Sequence, residues 1–356
     1  MNMHYRASRR ANRIWIAALA AMAVAGFLIG IGLYLANALK PMPEGGANVQ
    51  FEILPGTGSA GIAKQLEKQG IIRNAAVFTY YLKYVGEGAK FQAGKYEMAS
   101  GITAAQIIDK LNKGQTVKEE TFRLTVPEGF TLQQIADKVS AQTGIEAKTI
   151  MQAADQPDAY AAKSLQGIPN NPGIKHRLEG YLFPDTYEWK KDASVQEMID
   201  RMTGELDSKL EQLPPDWPQV MKAKDLDFHQ LLTVASLIEK EVVLDEERPL
   251  VASVIYNRLG KKMNLQIDAT IQYMLDKPKE RLLEKDLQLE SPYNTYLHAG
   301  LPPGPIASPS LNSIRAALYP DNTPFLFYVT KKDGSKGHLF AKTFDEHLKN
   351  NAASKK

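Results

Sequence analysis

The longest uncharged stretch of the chain lies near its N-terminus and runs from Ile14 to Leu39. Its 26 residues exceed the roughly 20 that an apolar helix needs to cross a bilayer. Four arginines precede this run, and residues 1–40 contain no acidic residue. The positive-inside rule then places residues 1–13 in the cytoplasm and the body of the chain outside it. The sequence therefore predicts a single-pass helix over 14–39 in the cytoplasmic (inner) membrane, with an extracytoplasmic or periplasmic body.

Two other interpretations of this run stay open. Ala36-Asn37-Ala38 fits the small-residue pattern of a cleaved signal peptide. The apolar region of a signal peptide spans only about 7–15 residues, however, so the length favours a retained anchor. A buried helix of a soluble protein is the remaining alternative.

The remainder of the chain is almost neutral. Beyond residue 40 it carries 38 basic and 40 acidic residues, so the overall net charge of +3 comes from the N-terminal end. Such a body gives no support to nucleic-acid binding. The chain has no cysteine, which excludes disulfides, thiolate metal sites and a thiol nucleophile. Because six histidines occur without an HExxH sequence, we expect no metal and no other cofactor.

A length of 356 residues suggests two or three domains. Residues 40–48 form a short linker after the apolar run. The next segment, 49–116, has the predicted order strand, helix, helix, strand, followed by one more helix. The three helices are opened or capped by Ser59, Asn74 and Thr103.

Short sequences recur among these helices. TAAQIIDKL at 103–111 and TLQQIADKV at 131–139 share Thr, Gln, Ile, Asp and Lys at the same spacing, and SAGIAKQL at 59–66 is a looser copy. This pattern and the order of elements over 49–115 resemble LysM, a small module that binds peptidoglycan. Any small capped amphipathic helix has a similar pattern, so that alternative stays open.

Residues 117–350 are predicted to be helices with a few short strands, and 351–356 form a lysine-rich tail. Helices are predicted at 195–212, 228–243, 249–259 and 310–318, and a hairpin at 325–330 and 338–342. The predicted fold class is therefore α+β. It combines an N-terminal transmembrane helix, a small LysM-like βααβ module and a larger, mainly helical domain with short strands.

The helix predicted at 228–243 ends in the sequence ASLIEKEVV. With Ile238 as the reference direction, five apolar residues fall within about 120° of it: Leu231, Leu232, Val234, Ala235 and Leu237. The opposite face carries His229, Thr233, Ser236 and Lys240. Glu239 and Glu241 fall inside the apolar arc, one on each flank.

Two interpretations of these glutamates follow. In the structural one, the last turn frays outward and the carboxylates meet basic partners such as Arg248. In the functional one, a carboxyl group lies at the mouth of a cleft, where loss of solvent raises its pKa and keeps it protonated. A protonated carboxyl group is the general acid that glycosidic cleavage requires.

Five ordered motifs between Glu179 and His347 resemble the endolytic murein transglycosylases, the MltG or YceG-like family. They are ASLIEKE, ER..VASVIYNRL, M.LQ.D.T..Y, SPYNTY followed by GLPPGPI, and G.H.F..T..EH. The resemblance implies that 117–350 is a catalytic transglycosylase domain. Two departures concern loop rigidity: Ala269 stands where the family has proline, and Lys262 stands where it often has glycine.

The resemblance implies a membrane-anchored lytic transglycosylase. Such an enzyme would cut the β-1,4 bond between N-acetylmuramic acid and N-acetylglucosamine in nascent peptidoglycan strands and leave 1,6-anhydro ends. Its catalytic acid/base is the first glutamate of the E-x-E pair, Glu239. The candidates for binding the sugars are Glu241, Gln266, Asp268, Tyr293 and Asn294. The expected partners are glycan strands, the membrane and peptidoglycan synthases, with a role in terminating strand growth.

Two other functions stay open at this point. The chain could be a non-catalytic peptidoglycan-binding scaffold in which the glutamates are structural. It could also be a muramidase that hydrolyses the same bond with water, which would need a second carboxylate placed to activate that water.

Overall fold

The computed structural model describes residues 4–43, 45, 47–118, 120–275 and 277–354, with side chains from residue 15 onward. The arginine side chains before residue 14 and the last two residues of the predicted tail therefore lie outside the described part. The chain divides into two compact units, 1–119 and 120–356. Each unit has its own buried apolar core.

The first helix, α1, spans His4–Ala38. Its Trp15–Ala38 segment has 24 residues, a mean hydropathy of 2.4 and no buried share. Among the described helices it is the one that is long and apolar enough to cross a membrane. The predicted N-terminal apolar helix is thus present.

The rest of the first unit consists of two strands and three helices. Strands β1 and β2 pair antiparallel, with Val49 opposite Met98 and Ile53 opposite Gly94. Their buried face packs against the apolar sides of the helices. In chain order the elements are β1 (Val49–Ile53), α2 (Ser59–Lys68), α3 (Ala75–Val85), β2 (Gly94–Met98) and α4 (Ala104–Asn112).

The helix starts in this unit follow from local hydrogen bonds. The Asn74 side chain accepts from the Val77 amide, and Thr103 forms a reciprocal capping box with Gln106. The expected cap at Ser59 is wrong. Ser59 is the first helical residue, and the N-cap position is occupied by Gly58, which offers no side-chain acceptor.

The second unit is mainly helical, with two antiparallel strand pairs. Thr121 lies opposite Lys190 in the first pair, and Thr330 lies opposite His338 in the second. The mixture of helices and short strands agrees with the predicted fold class. In chain order the elements are β3 (Thr121–Thr125), α5 (Leu132–Thr143), α6 (Ala147–Ala154), β4 (Thr186–Lys190), α7 (Val195–Leu210), α8 (Trp217–Ala223), α9 (Phe228–Glu241), α10 (Arg248–Gly260), α11 (Asp268–Met274), α12 (Leu311–Leu318), β5 (Phe327–Thr330), β6 (His338–Ala341) and α13 (Phe344–Ala353).

Helix α9 is the centre of this unit, and its surroundings correct one expectation. The sequence predicts a polar face, but His229, Thr233 and Ser236 are as buried as the apolar residues between them. Lys240 alone of the predicted polar face is exposed. The physical reason is that the three buried side chains bond to backbone groups rather than to water.

Two hydrogen-bond partners of that buried face come from the proline-rich segment 300–310. The His229 Nε2–H donates to the Pro303 carbonyl at 2.9 Å, and its Nδ1 accepts from the Tyr181 hydroxyl. The Ile306 amide donates to Ser236 Oγ at 3.1 Å. This proline-rich segment therefore lies directly against α9.

A buried carboxyl group holds the start of α5. Glu179 is 1% exposed, and its Oε1 accepts from the Leu132 amide at 2.8 Å. Burial raises the pKa of Glu179 from its ordinary 4.5 to about 7, although the Leu132 amide, Tyr273 and Lys175 oppose the shift.

This shift predicts a pH dependence of stability. Between pH 4.5 and about 7 the folded chain holds a proton on Glu179 that the unfolded chain has lost. The free energy of unfolding should therefore fall as pH rises through this window, by about 3 kcal/mol in total. Urea unfolding at several pH values should show this fall. Glu179→Gln should remove it, while the exposed Glu284→Gln should not. An unchanged slope in Glu179→Gln would contradict the assignment.

Candidate active site

The carboxylate of Glu239 receives four hydrogen bonds on one oxygen. Its Oε2 accepts from the Ser310 amide at 2.9 Å and the Ser310 hydroxyl at 2.6 Å. It also accepts from the Ser313 hydroxyl at 2.8 Å and from Arg248 Nη1 at 3.1 Å. Among the described residues no hydrogen bond reaches Oε1. The carboxylate is therefore fixed in orientation by one oxygen, while the other oxygen stays available.

These donors come from the ends of two helices packed beside α9. Ser310 is the N-cap of α12, and Ser313 lies in its first turn, so the carboxylate faces the positive end of that helix. Arg248 begins α10 and also bonds Asp245 at 2.7 Å. The side chains of Arg248 and Glu239 are 7% and 6% exposed. The ion pair named in the structural interpretation is thus present, and it coexists with a free Oε1.

A second carboxylate near Glu239 went unnoticed in the sequence. Glu128 lies in the turn after β3, where the next residue, Gly129, has φ +70° and lies against Glu239 and Lys240. The Lys240 ammonium donates to the Gly129 carbonyl at 3.1 Å, which fixes the turn against α9. Burial and the charge of Glu239 raise the pKa of Glu128. The only sequence signal was its position in the turn PEG between a strand and a capped helix.

Glu241 lies on the other flank of α9 in different surroundings. Its Oε2 accepts from the Tyr328 hydroxyl at 2.8 Å. Burial raises the pKa of Glu241, and the nearby charge of Asp268 adds to this, while the Tyr328 hydrogen bond and His338 oppose it. Asp268 is exposed and accepts from the Tyr296 hydroxyl. The structure therefore brings Glu241 and Asp268 together, as the sequence interpretation grouped them.

Gln266 borders the same group. Its side chain is exposed, and its Oε1 accepts from Arg258 Nη1 at 3.3 Å. Arg258 in turn donates to the carbonyls of Leu265 and Leu326. Gln266 has φ +52°, which a non-glycine residue rarely adopts. The backbone bond from its amide to the Thr295 carbonyl helps to hold this conformation.

Tyr293 and Asn294 lie apart from these carboxylates. The Asn294 side chain is fully buried and donates to the carbonyls of Leu287 and Leu289. Tyr293 is 3% exposed, and its hydroxyl accepts from the Lys175 amide at 3.3 Å. In this conformation both hold loops in place, and their predicted contact with sugar stays a prediction. Tyr296 is the residue of SPYNTY whose side chain contacts Asp268.

His338 is a hairpin residue, as the sequence interpretation favoured. Its Nδ1 lies 2.6 Å from Glu247 Oε2, and its amide donates to Glu247 Oε1. In the part of the chain that the structure describes, no cluster of His, Cys, Asp and Glu residues could hold a metal ion.

Comparison with known proteins identifies the family. The model of the YceG-like family matches residues 51–353. An endolytic murein transglycosylase of Bacillus subtilis is 39% identical over 329 residues, which cover 90% of this chain and 89% of the relative. One from Streptococcus pneumoniae is 31% identical over 340 residues, 89% of this chain and 60% of that longer protein.

A solved structure agrees with these relatives. The crystal structure of a YceG-like protein of Listeria monocytogenes superposes with a TM-score of 0.58 at 36% identity, and the match covers 85% of this chain and 98% of that one. The fold thus agrees with the family match. This chain belongs to the YceG-like family.

The buried pair predicts a coupled effect on stability. Replacing Arg248 by Met leaves the Glu239 carboxylate buried without its cationic partner, which typically costs about 3–5 kcal/mol. Glu239→Gln in the same chain should restore part of this loss, because no buried charge is then left unpaired. Denaturant unfolding of both single variants and the double variant measures the coupling. Additive losses would show that the two side chains do not interact.

Proposed function

We propose that this chain is a lytic transglycosylase of peptidoglycan, a non-hydrolytic lyase, with Glu239 as its acid/base. The observation that carries the proposal is the carboxylate of Glu239, fixed through Oε2 and available through Oε1. The names of the relatives in Bacillus and Streptococcus support the same reaction class. The target bond would be the β-1,4 bond between N-acetylmuramic acid and N-acetylglucosamine.

The reaction needs only one catalytic carboxyl group. Without substrate Glu239 is the carboxylate paired with Arg248; in the state that reacts it carries a proton on the free Oε1. It gives this proton to the glycosidic oxygen, and the bond from that oxygen to C1 breaks. The C6 hydroxyl of the same N-acetylmuramic acid then bonds to C1 and returns its proton to Glu239. No water is consumed, and the product carries a 1,6-anhydro ring. An intramolecular nucleophile reacts at a high effective concentration, which lowers the barrier.

The neighbouring polar group suits the binding of sugars. Asp268 and Gln266 are exposed beside the half-buried Glu241, and Tyr296 adds an aromatic ring with a hydroxyl. We assign Glu241, Asp268 and Gln266 to sugar hydroxyl and acetamido groups next to the cleaved bond. Tyr293 and Asn294, which were expected in this role, would act by holding the loops.

One observation favours the hydrolytic alternative: Glu128 lies close enough to Glu239 for the two charges to interact. A muramidase needs a second carboxylate that activates water, and Glu128 is a neighbour that could do so. The two reactions differ in their products. Transglycosylation leaves anhydro ends, whereas hydrolysis leaves reducing ends that are heavier by one water.

We expect Glu239→Gln to lower the cleavage rate of purified glycan strands by about 10²–10⁴-fold, because an amide cannot give up and recover a proton. Glu241→Gln is the matched variant on the other flank of α9; because we assign Glu241 to sugar binding, it should raise KM and leave kcat nearly unchanged. Mass spectrometry of the ends made by wild type should show anhydro sugars. Reducing ends that disappear in Glu128→Gln would establish the muramidase, and intact strands with wild type would establish the scaffold.

We further propose that α1 anchors the chain in the cytoplasmic membrane with residues 1–13 inside. The four arginines before the apolar segment support this orientation. Protease added to intact spheroplasts should then digest the body of the chain and leave a small protected N-terminal fragment. A body that resists digestion until the membrane is lysed would show the opposite orientation.

The segment 49–116 is proposed as a LysM-like glycan-binding module. Its β1-α2-α3-β2 order supports this, and Tyr80 and Tyr84 on α3 are exposed aromatic residues one turn apart. Aromatic faces stack readily on sugar rings. Changing both tyrosines to Ser should weaken pelleting of the chain with murein sacculi, whereas Lys64→Ser and Lys68→Ser on α2 should not. Unchanged pelleting with both tyrosines replaced would argue against this surface.

A membrane anchor would hold the site where new glycan strands leave their synthases. From this position we propose that the chain terminates strand growth and works beside peptidoglycan synthases. Strands in cells that lack the activity should accordingly be longer.

A further inference from the structure

A cavity of about 410 Å³ with mostly polar lining residues lies in the second unit. The turn before α5, the segment 175–179 and the end of α11 enclose it. At about 30 Å³ per water molecule it is far larger than a single structural water requires. Its volume falls within the range of small-ligand sites, about 300–1,000 Å³. Among the side chains that line it are Lys175, His176, Glu179 and Tyr273.

This cavity concentrates hydrogen-bonding groups that lack partners. Among the described residues nine buried side-chain N and O atoms have no hydrogen bond, and three of them belong to side chains lining this one cavity. They are His176 Nδ1, Glu179 Oε2 and the Tyr273 hydroxyl. Glu179 and Tyr273 are close neighbours, but their atoms do not form a hydrogen bond of good geometry. His176 Nδ1 faces Asp155 Oδ1 at 3.9 Å, which is too long for a hydrogen bond. Buried polar groups are nearly always bonded, so such a cluster points to a missing partner.

The groups around the cavity favour an uncharged ligand. Burial lowers the pKa of His176, which favours the neutral imidazole although Asp155 opposes the shift. Burial raises the pKa of Glu179 to about 7, so about half of this carboxyl group is protonated at neutral pH. The Lys175 ammonium is engaged, since it donates to the Tyr273 carbonyl at 3.1 Å and lies 5.0 Å from the centre of the Tyr273 ring. What remains is a set of neutral donors and acceptors beside an aromatic ring.

Two elements of the chain connect the proposed active site with this cavity. The turn that carries Glu128 and Gly129 beside Glu239 runs directly into Thr131 at the cavity. Helix α11 begins at Asp268, near Glu241, and reaches the cavity at Tyr273, five residues and about 8 Å along its axis. A chain of sugars bound at the carboxylates could therefore extend into this space.

We propose that this cavity is a subsite for one uncharged N-acetylhexosamine unit of the glycan strand, bound through Tyr273, Glu179 and His176. The identity of the ligand rests on the proposed function, because the cavity itself specifies only a neutral ring with hydroxyl and amide groups. Tyr273 acts here by binding, away from the bond that is cleaved.

The test uses Tyr273→Phe in the full chain, solubilised in detergent. This change keeps the ring and removes only a hydroxyl that lies beside Glu179 without a hydrogen bond of good geometry. We expect unchanged thermal stability and an affinity for tetra-N-acetylchitotetraose about three- to tenfold weaker by calorimetry, the value of one hydrogen bond. Tyr160→Phe is the matched control. Its hydroxyl bonds the Ala153 carbonyl at 3.0 Å, so it should lose stability and keep the affinity.

Several outcomes would overturn the subsite. Equal affinity of Tyr273→Phe and wild type would do so, as would a loss of stability with the affinity retained, since the hydroxyl would then be structural. Weaker binding of a free stem tetrapeptide, with the saccharide unaffected, would assign the cavity to peptide instead. In cleavage assays the variant should raise KM and leave kcat nearly unchanged.

Binding of the saccharide is measured without turnover, which separates the two proposals. If wild type cuts no glycan but binds the saccharide through Tyr273, the subsite stands and the proposed reaction fails. If wild type cuts glycan and Tyr273→Phe binds the saccharide as tightly as wild type, the reaction stands and the subsite fails.

Discussion

The arrangement of the second unit depends on how the Glu239 carboxylate is paired. A buried carboxylate is costly unless donors surround it, and here they come from the first residue of α10 and the first turn of α12. Three helix ends must therefore meet at one point. The proline-rich segment makes this possible, because its bonds to His229 and Ser236 fix it along α9 and deliver Ser310 to the carboxylate. The same segment therefore both buries the polar face of α9 and fixes the Glu239 carboxylate.

The helical periodicity of the sequence predicted which side chains of α9 lie at the edges of its apolar face. It placed Glu239 and Glu241 on the flanks of the apolar arc and Lys240 in solvent, and the structure agrees for all three. It could not show that His229 and Ser236 would be buried, because the backbone groups that they bond belong to the distant segment 300–310. Thr233, which is also buried, bonds the His229 carbonyl within the helix. Glu128 and Ser313 were missed for the same reason, since each meets Glu239 only through the tertiary fold. The N-terminal apolar helix was predictable because its length and hydropathy do not depend on contacts with distant parts of the chain.

The two departures from the family pattern fall where the backbone can absorb them. Lys262 has φ +55° just after α10, in a turn closed by bonds to the carbonyls of Leu259 and Arg258. Glycine suits this position best, and an exposed lysine occupies it at a modest cost in strain. Ala269 is the second residue of α11, where proline would be tolerated and alanine favours the helix. Neither change alters a polar group beside the carboxylates.

The two glutamates of α9 have unequal surroundings although only one residue separates them. Successive helical positions differ by about 100°, so two positions apart the side chains point in nearly opposite directions. Glu239 therefore faces the start of α12, and Glu241 faces the β5–β6 hairpin. One carboxylate thus meets a set of fixed donors, while the other meets a tyrosine and a second acid. Environments that differ in this way can divide the work of a reaction between chemically identical groups. A rigid acid/base needs the first environment, whereas a group that binds neutral sugar hydroxyls is served by the second, where burial raises the pKa of Glu241. The lysine between them, exposed and bonded to the Gly129 carbonyl, fixes the Glu128 turn at the rim of the same site.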